Sequence, residues 1–156
     1  MYKKATLSLT GLLCVSFQIA TAQWEYVGPC CIDAPVGNMA SAGSEDIEFL
    51  SDGTPVVSYF HQIGLTTTGK VKKYDGNDWV MQGPELPLTG TISALDLEVK
   101  NDQLYVAALT GGSTVTIYHL INDQWEQMGA PFLLSPAFDF MPDNDGNLYV
   151  FTSTNQ

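Results

Sequence analysis

A tryptophan that is followed four residues later by a glycine, and then by a proline, recurs three times and constrains the fold more than any other feature. The copies begin at Trp24, Trp79 and Trp125 and read WEYVGP, WVMQGP and WEQMGAP. The tryptophans are 55 and 46 residues apart. Self-similarity at a period of roughly 20–50 residues is typical of repeat architectures, in which each unit buries its apolar face against its neighbours. The sequence therefore predicts a stack of similar units.

Each tryptophan motif is followed by a second shared block, in which alternating residues surround an aspartate and a tight turn leads into another β-rich run. The aspartates are Asp46, Asp96 and Asp139. The turns that follow them are Asp52-Gly53, Asn101-Asp102 and Asp145-Gly146. Alternation with period two indicates strands, and these turn residues tolerate the positive φ of tight hairpins. After residue 22 no long stretch has apolar residues at helical spacing. We predict an all-β protein with four antiparallel strands per repeat.

Four antiparallel strands repeated every 46 to 55 residues predict the blades of a β-propeller. Residues Tyr74–Trp79 and Asp145–Val150 are similar to the Tyr-x-Gly-x-x-Trp and Asp-Gly-x-x-Tyr-Val elements of uncharacterised secreted propeller repeats in exported Bacteroidetes proteins. The resemblance covers nearly all of residues 23–156 and implies a propeller fold and an association with type IX secretion. It implies no activity.

Residues 23–156 hold just under three repeats of about 46 residues, and a closed propeller needs roughly four blades or more. We therefore predict the N-terminal piece of a longer protein, with a partial propeller over residues 23–156. An open arc of three blades, or a small barrel or sandwich, are the alternatives. An incomplete propeller exposes sheet edges and an apolar face, so self-association is also expected.

Residues 1–22 have the three parts of a signal peptide: Lys3 and Lys4, a short apolar stretch, and small residues before a cleavage site at Ala22. We predict export to the cell surface or the medium, with no membrane insertion after cleavage. The remaining cysteines, Cys30 and Cys31, are adjacent. A vicinal disulfide and pairing with cysteines outside this chain both stay open, and the spacing disfavours a metal site formed by these thiols.

The chain is strongly acidic, with 17 acidic residues against 6 lysines and a formal charge of −11. Cleavage after Ala22 would raise the negative charge to −13, because it removes two lysines and no acid. Proteins that neutralise phosphates need clustered lysine and arginine, so nucleic acids and anionic membrane surfaces are excluded as partners. Hydrophobic residues make up 45% of the chain, which argues for a folded core.

The recurring aspartates Asp46, Asp96 and Asp139 are the candidate ligand-binding residues. On successive innermost strands they would form a ring that could take a cation such as Ca²⁺. A residue that returns in every repeat usually makes the same local hydrogen bond each time, and this structural interpretation is preferred. The same reasoning favours packing roles for the three tryptophans and a hairpin turn, not a Ca²⁺ loop, at residues 143–147.

Two hypotheses of function follow. We prefer an exported β-propeller segment that acts as a binding or interaction module for a protein or glycan ligand. The long segment 29–43 is the best single place for specificity. The alternative is the N-terminal part of a secreted carbohydrate-active enzyme, a glycoside hydrolase or lyase, with Glu45, Glu85 and Glu126 as candidate general acids. No catalytic residue is assigned, because His61 and His119 have no nucleophile motif beside them.

Overall fold

A computed structural model describes residues 46–63, 66–133 and 138–152. The signal segment, Trp24, the segment 29–43 and Cys30 and Cys31 lie outside these residues. Every regular element in the described part is a β-strand, and no helix there could cross a membrane. The strands are β1 (Asp46–Phe49), β2 (Pro55–Ile63), β3 (Thr66–Tyr74), β4 (Trp79–Met81), β5 (Ile92–Lys100), β6 (Gln103–Thr110), β7 (Thr114–Ile121), β8 (Gln124–Leu133), β9 (Phe138–Pro142) and β10 (Leu148–Thr152).

The strands form three antiparallel sheets. The first sheet has the order β1-β2-β3-β4, the second has the order β5-β6-β7-β8, and the third pairs β9 with β10. Each four-stranded sheet is an up-and-down meander, as the alternating pattern predicts, so the all-β prediction is confirmed. The described sheets are not closed into a ring, and the propeller stays a prediction.

The hairpin turns form where the sequence predicts them. Asn101 and Asp102 join β5 to β6 with φ of 52° and 59°, and Asn122 and Asp123 join β7 to β8 with φ of 49° and 60°. Two successive residues in the left-handed region give a turn whose twist matches that of the flanking strands. These side chains tolerate that region better than most, which is why the registers of both hairpins are fixed locally.

Two apolar clusters hold the three sheets face to face. The first cluster lies between the first and second sheets and includes Val56 and Val71 on one side and Leu97 and Val106 on the other. The second cluster lies between the second and third sheets, where Phe140 is buried against residues of β6 and β7. The second sheet is thus covered on both faces, which explains why β6 is buried at every position after Gln103.

The faces of each sheet are defined by its aspartate. We call the face that carries Asp46, Asp96 or Asp139 the front face of its sheet, and the opposite face the rear face. The front face of the first sheet and the rear face of the second sheet share the first cluster, and the front face of the second sheet meets the rear face of the third. The sheets therefore stack in one direction, front against rear.

The outer edges of the first and second sheets meet through a tryptophan and a glycine. Trp125 on β8 is buried, and its Nε1 donates a hydrogen bond of 3.1 Å to the carbonyl of Pro84. The neighbouring Gly83 has φ of +72°, and a Cβ there would lie 2.7 Å from Cδ1 of Leu120. The packing role predicted for this tryptophan is confirmed. The glycine allows the hairpin between β7 and β8 to approach the first sheet closely.

Candidate functional site: the acidic row along the inner strands

The three predicted aspartates lie on the first strands of the three sheets, which we call the inner strands. Strands β1, β5 and β9 are each the first strand of their sheet, and β5 contacts both β1 and β9. Asp46, Asp96 and Asp139 occupy corresponding positions on these strands, paired with Ser58, Ala107 and Phe151 on the next strand. The structure thus places the three acids in a row across the stack.

Asp46 ties the first sheet to the second. Its Oδ2 accepts a hydrogen bond of 2.9 Å from the backbone N–H of Leu97, on the strand of the next sheet. Its Oδ1 accepts the N–H of Ile47 at 2.8 Å. Hydrogen bonds to a carboxylate are stronger than those between neutral groups. This bond has a structural role, but it joins two sheets and is not the same local bond in every repeat that the sequence favours, since the buried Oδ2 of Asp96 has no hydrogen-bond partner.

Asp96 is half-buried and lies among other acids. Burial, then the charges of Asp46 and Asp139, and a hydrogen bond with the Asp46 carboxyl raise the pKa of Asp96 from 3.8 to about 7. A hydrogen bond between two carboxyl groups requires one of them to hold the proton, and the raised pKa assigns it to Asp96. Its Oδ2 is buried and has no hydrogen-bond partner, so its environment favours the neutral acid.

Two glutamates extend the row, and the sequence analysis did not single them out. Glu48 and Glu98 each follow an aspartate by two residues and lie on the same front face. Burial, then the charge of Glu48 and those of Asp139 and Asp46, raise the pKa of Glu98 to about 7. The period of a strand alone places residues i and i+2 on one face, so the alternation in the sequence contains the signal that would have identified them.

The row does not form a recognised metal site. Asp139 is exposed at the open end of the row, on the front face of the third sheet. Within residues 46–63, 66–133 and 138–152, no group of three or more His, Cys, Asp or Glu side chains is placed to hold a metal ion. The Ca²⁺ ring therefore stays a sequence-based hypothesis.

Asp143 and Asp102, which lie in hairpin turns, each accept more than one hydrogen bond. Asp143 accepts the backbone N–H groups of Asp145 and Asn147 on Oδ1, and the side-chain amide of Asn147 on Oδ2. These bonds, led by that from the side chain of Asn147, lower the pKa of Asp143, and the hairpin-turn interpretation of residues 143–147 is confirmed. Asp102 accepts both the N–H and the hydroxyl of Ser51, joining hairpin turns of the first and second sheets.

The other residues considered as candidates for catalysis lie outside strands β1, β5 and β9. His119 on β7 stacks on Tyr105 with ring centroids 4.3 Å apart, and burial lowers its pKa. Glu85 lies 3.7 Å from the ammonium of Lys70. Glu126 is exposed on β8, and the side chain of His61 lies outside the described residues. A shallow cleft of about 480 Å³ opens between two turns of the first sheet.

The structure is that of an all-β protein whose antiparallel sheets stack front to rear. Acidic side chains lie along the first strand of each sheet. Comparisons with protein-family profiles, with curated proteins and with solved structures give no match.

The raised pKa values predict how stability depends on pH. As the pH rises from about 4 to about 7, Asp96 and Glu98 ionise in the unfolded chain before they ionise in the folded one. For these two groups the unfolded state then binds fewer protons, so their contribution to the free energy of unfolding falls through this range and levels off above it. Asp96→Asn should raise the free energy of unfolding at pH 8 by roughly 1–2 kcal/mol, after allowance for solvent screening.

Urea unfolding of the wild type and of Asp96→Asn at pH 5 and pH 8 checks this prediction. Asp139→Asn, at the exposed corresponding position, is the matched control and should change the pH dependence less. An Asp96→Asn variant that loses as much stability between pH 5 and pH 8 as the wild type would contradict the prediction. It would show that ionisation of Asp96 does not destabilise the folded state.

Proposed function

We propose that this chain is an exported interaction module built from propeller-type repeats. The recurring tryptophan and aspartate blocks, the matching strand orders of the two four-stranded sheets and the signal-like residues 1–22 support this proposal. The module meets its partner through the front face of the third sheet.

The observation that carries the proposal is the exposure of that face. On the second strand, the residue paired with the aspartate is Ser58 in the first sheet and Ala107 in the second sheet, and both are 0% exposed. In the third sheet it is Phe151, which is 57% exposed. Met141 and Tyr149 on the same sheet are also exposed. A contiguous apolar surface of this kind marks a site of interaction with another molecule.

Binding assays with defined probes test the proposal. The full chain, labelled and exported, is applied to immobilised glycans and to an immobilised sample of the same chain. We expect saturable binding to at least one probe, at least about tenfold weaker for Phe151→Asp and unchanged for Leu133→Asp. Leu133 is the matched control because it is an exposed apolar residue of the second sheet. No binding to any probe, or equal binding by Phe151→Asp, would contradict the proposal.

A carbohydrate-active enzyme is the second candidate function, and one observation favours it. Asp96 and Glu98 have pKa values raised to about 7, and a carboxylic acid that keeps its proton near neutral pH is what a glycosidase uses as general acid. Hydrolysis of the probe glycans that is lost in Glu98→Gln and kept in Asp139→Asn would establish this activity in place of simple binding. Binding without turnover would support the interaction module.

A further inference from the structure

The cleft of about 480 Å³ lies at one end of the first sheet, between the turn that joins β1 to β2 and the turn that joins β3 to β4. Its lining includes the charged residues Asp52, Lys73 and Asp75 and the aromatic residue Tyr74. The volume is within the range of roughly 300–1,000 Å³ that is usual for pockets that hold small molecules. Every lining residue belongs to the first sheet or its turns, so this one sheet forms the cleft.

The turn between β1 and β2 forms one wall of the cleft and is held in place by hydrogen bonds. Asp52 accepts the backbone N–H of Thr54 at 2.8 Å. The neighbouring Ser51 donates its N–H and its hydroxyl to Asp102, in a turn of the second sheet. A wall that is ordered before the ligand arrives reduces the entropy that binding costs.

The turn between β3 and β4 forms the opposite wall. Oδ1 of Asp75 accepts the backbone N–H groups of Asn77 and Asp78, at 2.9 and 2.8 Å. These bonds hold the carboxylate in position through one of its two oxygens, and both oxygens of a carboxylate are acceptors. Because Asp75 is exposed, its carboxylate can also accept hydrogen bonds from a ligand.

The cleft contains charges of both signs. Hydrogen bonds from the side chain and the backbone of Thr54 lower the pKa of Asp52. Backbone hydrogen bonds within the turn, led by that from Asp78, lower the pKa of Asp75. The charge of Lys73 adds to both effects, so two carboxylates and one ammonium group share the cleft. A charged ligand of either sign would meet a like charge there, whereas hydroxyl groups can donate to the carboxylates and accept from the ammonium.

Tyr74 gives the cleft an aromatic side chain. It is half-buried and pairs with Trp79 on β4, with ring centroids 5.5 Å apart, so its ring is supported by a neighbour. A sugar ring combines an apolar C–H face, which packs against an aromatic ring, with hydroxyl groups around its edge. We propose that this cleft binds a neutral sugar residue of a glycan, with the sugar ring against Tyr74 and its hydroxyls bonded to Asp75 and Lys73. The inference goes beyond the proposed function, because it places a separate site on the first sheet.

Isothermal titration calorimetry of the exported full chain tests this site. The probes are soluble neutral oligosaccharides of glucose, galactose, mannose and xylose. We expect saturable binding of at least one of them, with a dissociation constant raised at least about tenfold by Tyr74→Ala and by Lys73→Met. Tyr74→Phe keeps the aromatic ring and should bind more tightly than Tyr74→Ala. Circular dichroism of each variant establishes that the sheets still form.

Two further variants are matched controls, because they remove the same charges just outside the cleft. Lys72 is next to Lys73 on β3 and lies on the other face of the strand. Asp78 is in the same turn as Asp75, and neither Lys72 nor Asp78 lines the cleft. Lys72→Met and Asp78→Asn should therefore leave the dissociation constant unchanged. Asp75→Asn, which keeps an oxygen acceptor for its turn, should raise it.

The outcomes separate this inference from the proposed function. No binding of any of these oligosaccharides, or equal binding by the wild type and Lys73→Met, would overturn the inference. Tighter binding of acidic oligosaccharides than of neutral ones would overturn the neutral sugar as ligand. Sugar binding that is lost in Phe151→Asp and kept in Tyr74→Ala would place the sugar on the third sheet, which overturns the cleft and keeps the proposed function.

Discussion

Replacing Trp125 with alanine is expected to lower the free energy of unfolding by about 3–5 kcal/mol, the range found when a large aromatic is removed from a core. Trp125 is 7% exposed and belongs to the cluster between the first and second sheets. Its removal leaves a cavity at the outer edge of that interface and the carbonyl of Pro84 without the bond from Nε1. Urea unfolding followed by circular dichroism measures the loss.

Trp125→Phe is the matched control for this prediction. It keeps most of the buried apolar surface and removes the N–H donor, so the expected loss is smaller, about 1–2 kcal/mol. The two variants together separate the packing of the indole from its hydrogen bond. A Trp125→Ala protein as stable as the wild type would show that the outer edges of the two sheets do not depend on this contact.

Replacing Gly83 with alanine is expected to cost about 2–5 kcal/mol, for two reasons that add. A residue with a Cβ at φ of +72° is strained by roughly 1–2 kcal/mol. The new Cβ would also lie 2.7 Å from Cδ1 of Leu120 and 3.1 Å from Nε1 of Trp125, and overpacking of this kind costs about 1–3 kcal/mol. The difference in urea midpoint from the wild type gives the value.

Gly129 provides the matched control, because it follows Trp125 by four residues as Gly83 follows Trp79. Its φ is +69°, close to that of Gly83, but nothing lies within 4 Å of a Cβ built there. Gly129→Ala should therefore lose only the backbone contribution, about 1–2 kcal/mol. Equal losses at the two glycines would mean that the approach of the β7–β8 hairpin to Gly83 contributes nothing to stability.

The strands and turns could be predicted because their signals are local. Alternation indicates each strand, and the residues at 101–102 and 122–123 have the positive φ values that their Asn and Asp types allow. The burial of Trp125 is what its recurring position predicts, but the corresponding Trp79 on β4 is only half-buried and lies beside Tyr74, with ring centroids 5.5 Å apart. These properties depend on neighbours in the sequence or on the spacing of the motifs.

The properties of the acidic row could not be predicted in full, because they depend on distances between sheets. The sequence identifies Asp46 and Asp96 as corresponding residues, but it does not show that one would bind the backbone of the next sheet while the other holds a proton. Glu98 acquires its raised pKa from burial and from acids on two other strands, β1 and β9. The direction of stacking is also a tertiary property, and it decides which apolar positions, such as Ile47 and Phe151, remain open.

The central claim is that consecutive sheets stack front to rear through corresponding contacts, and a double-mutant cycle between Gly83 and Leu120 tests it most directly. Leu120 is in the second sheet, and its Cδ1 is the atom closest to a Cβ at Gly83. Leu120→Ala removes that atom, so the double variant should be more stable than the sum of the single effects by about 1–2 kcal/mol. The cycle between Gly129 and Leu120 should be additive within about 0.5 kcal/mol. Additivity in both cycles would contradict the stacking of the two sheets described above.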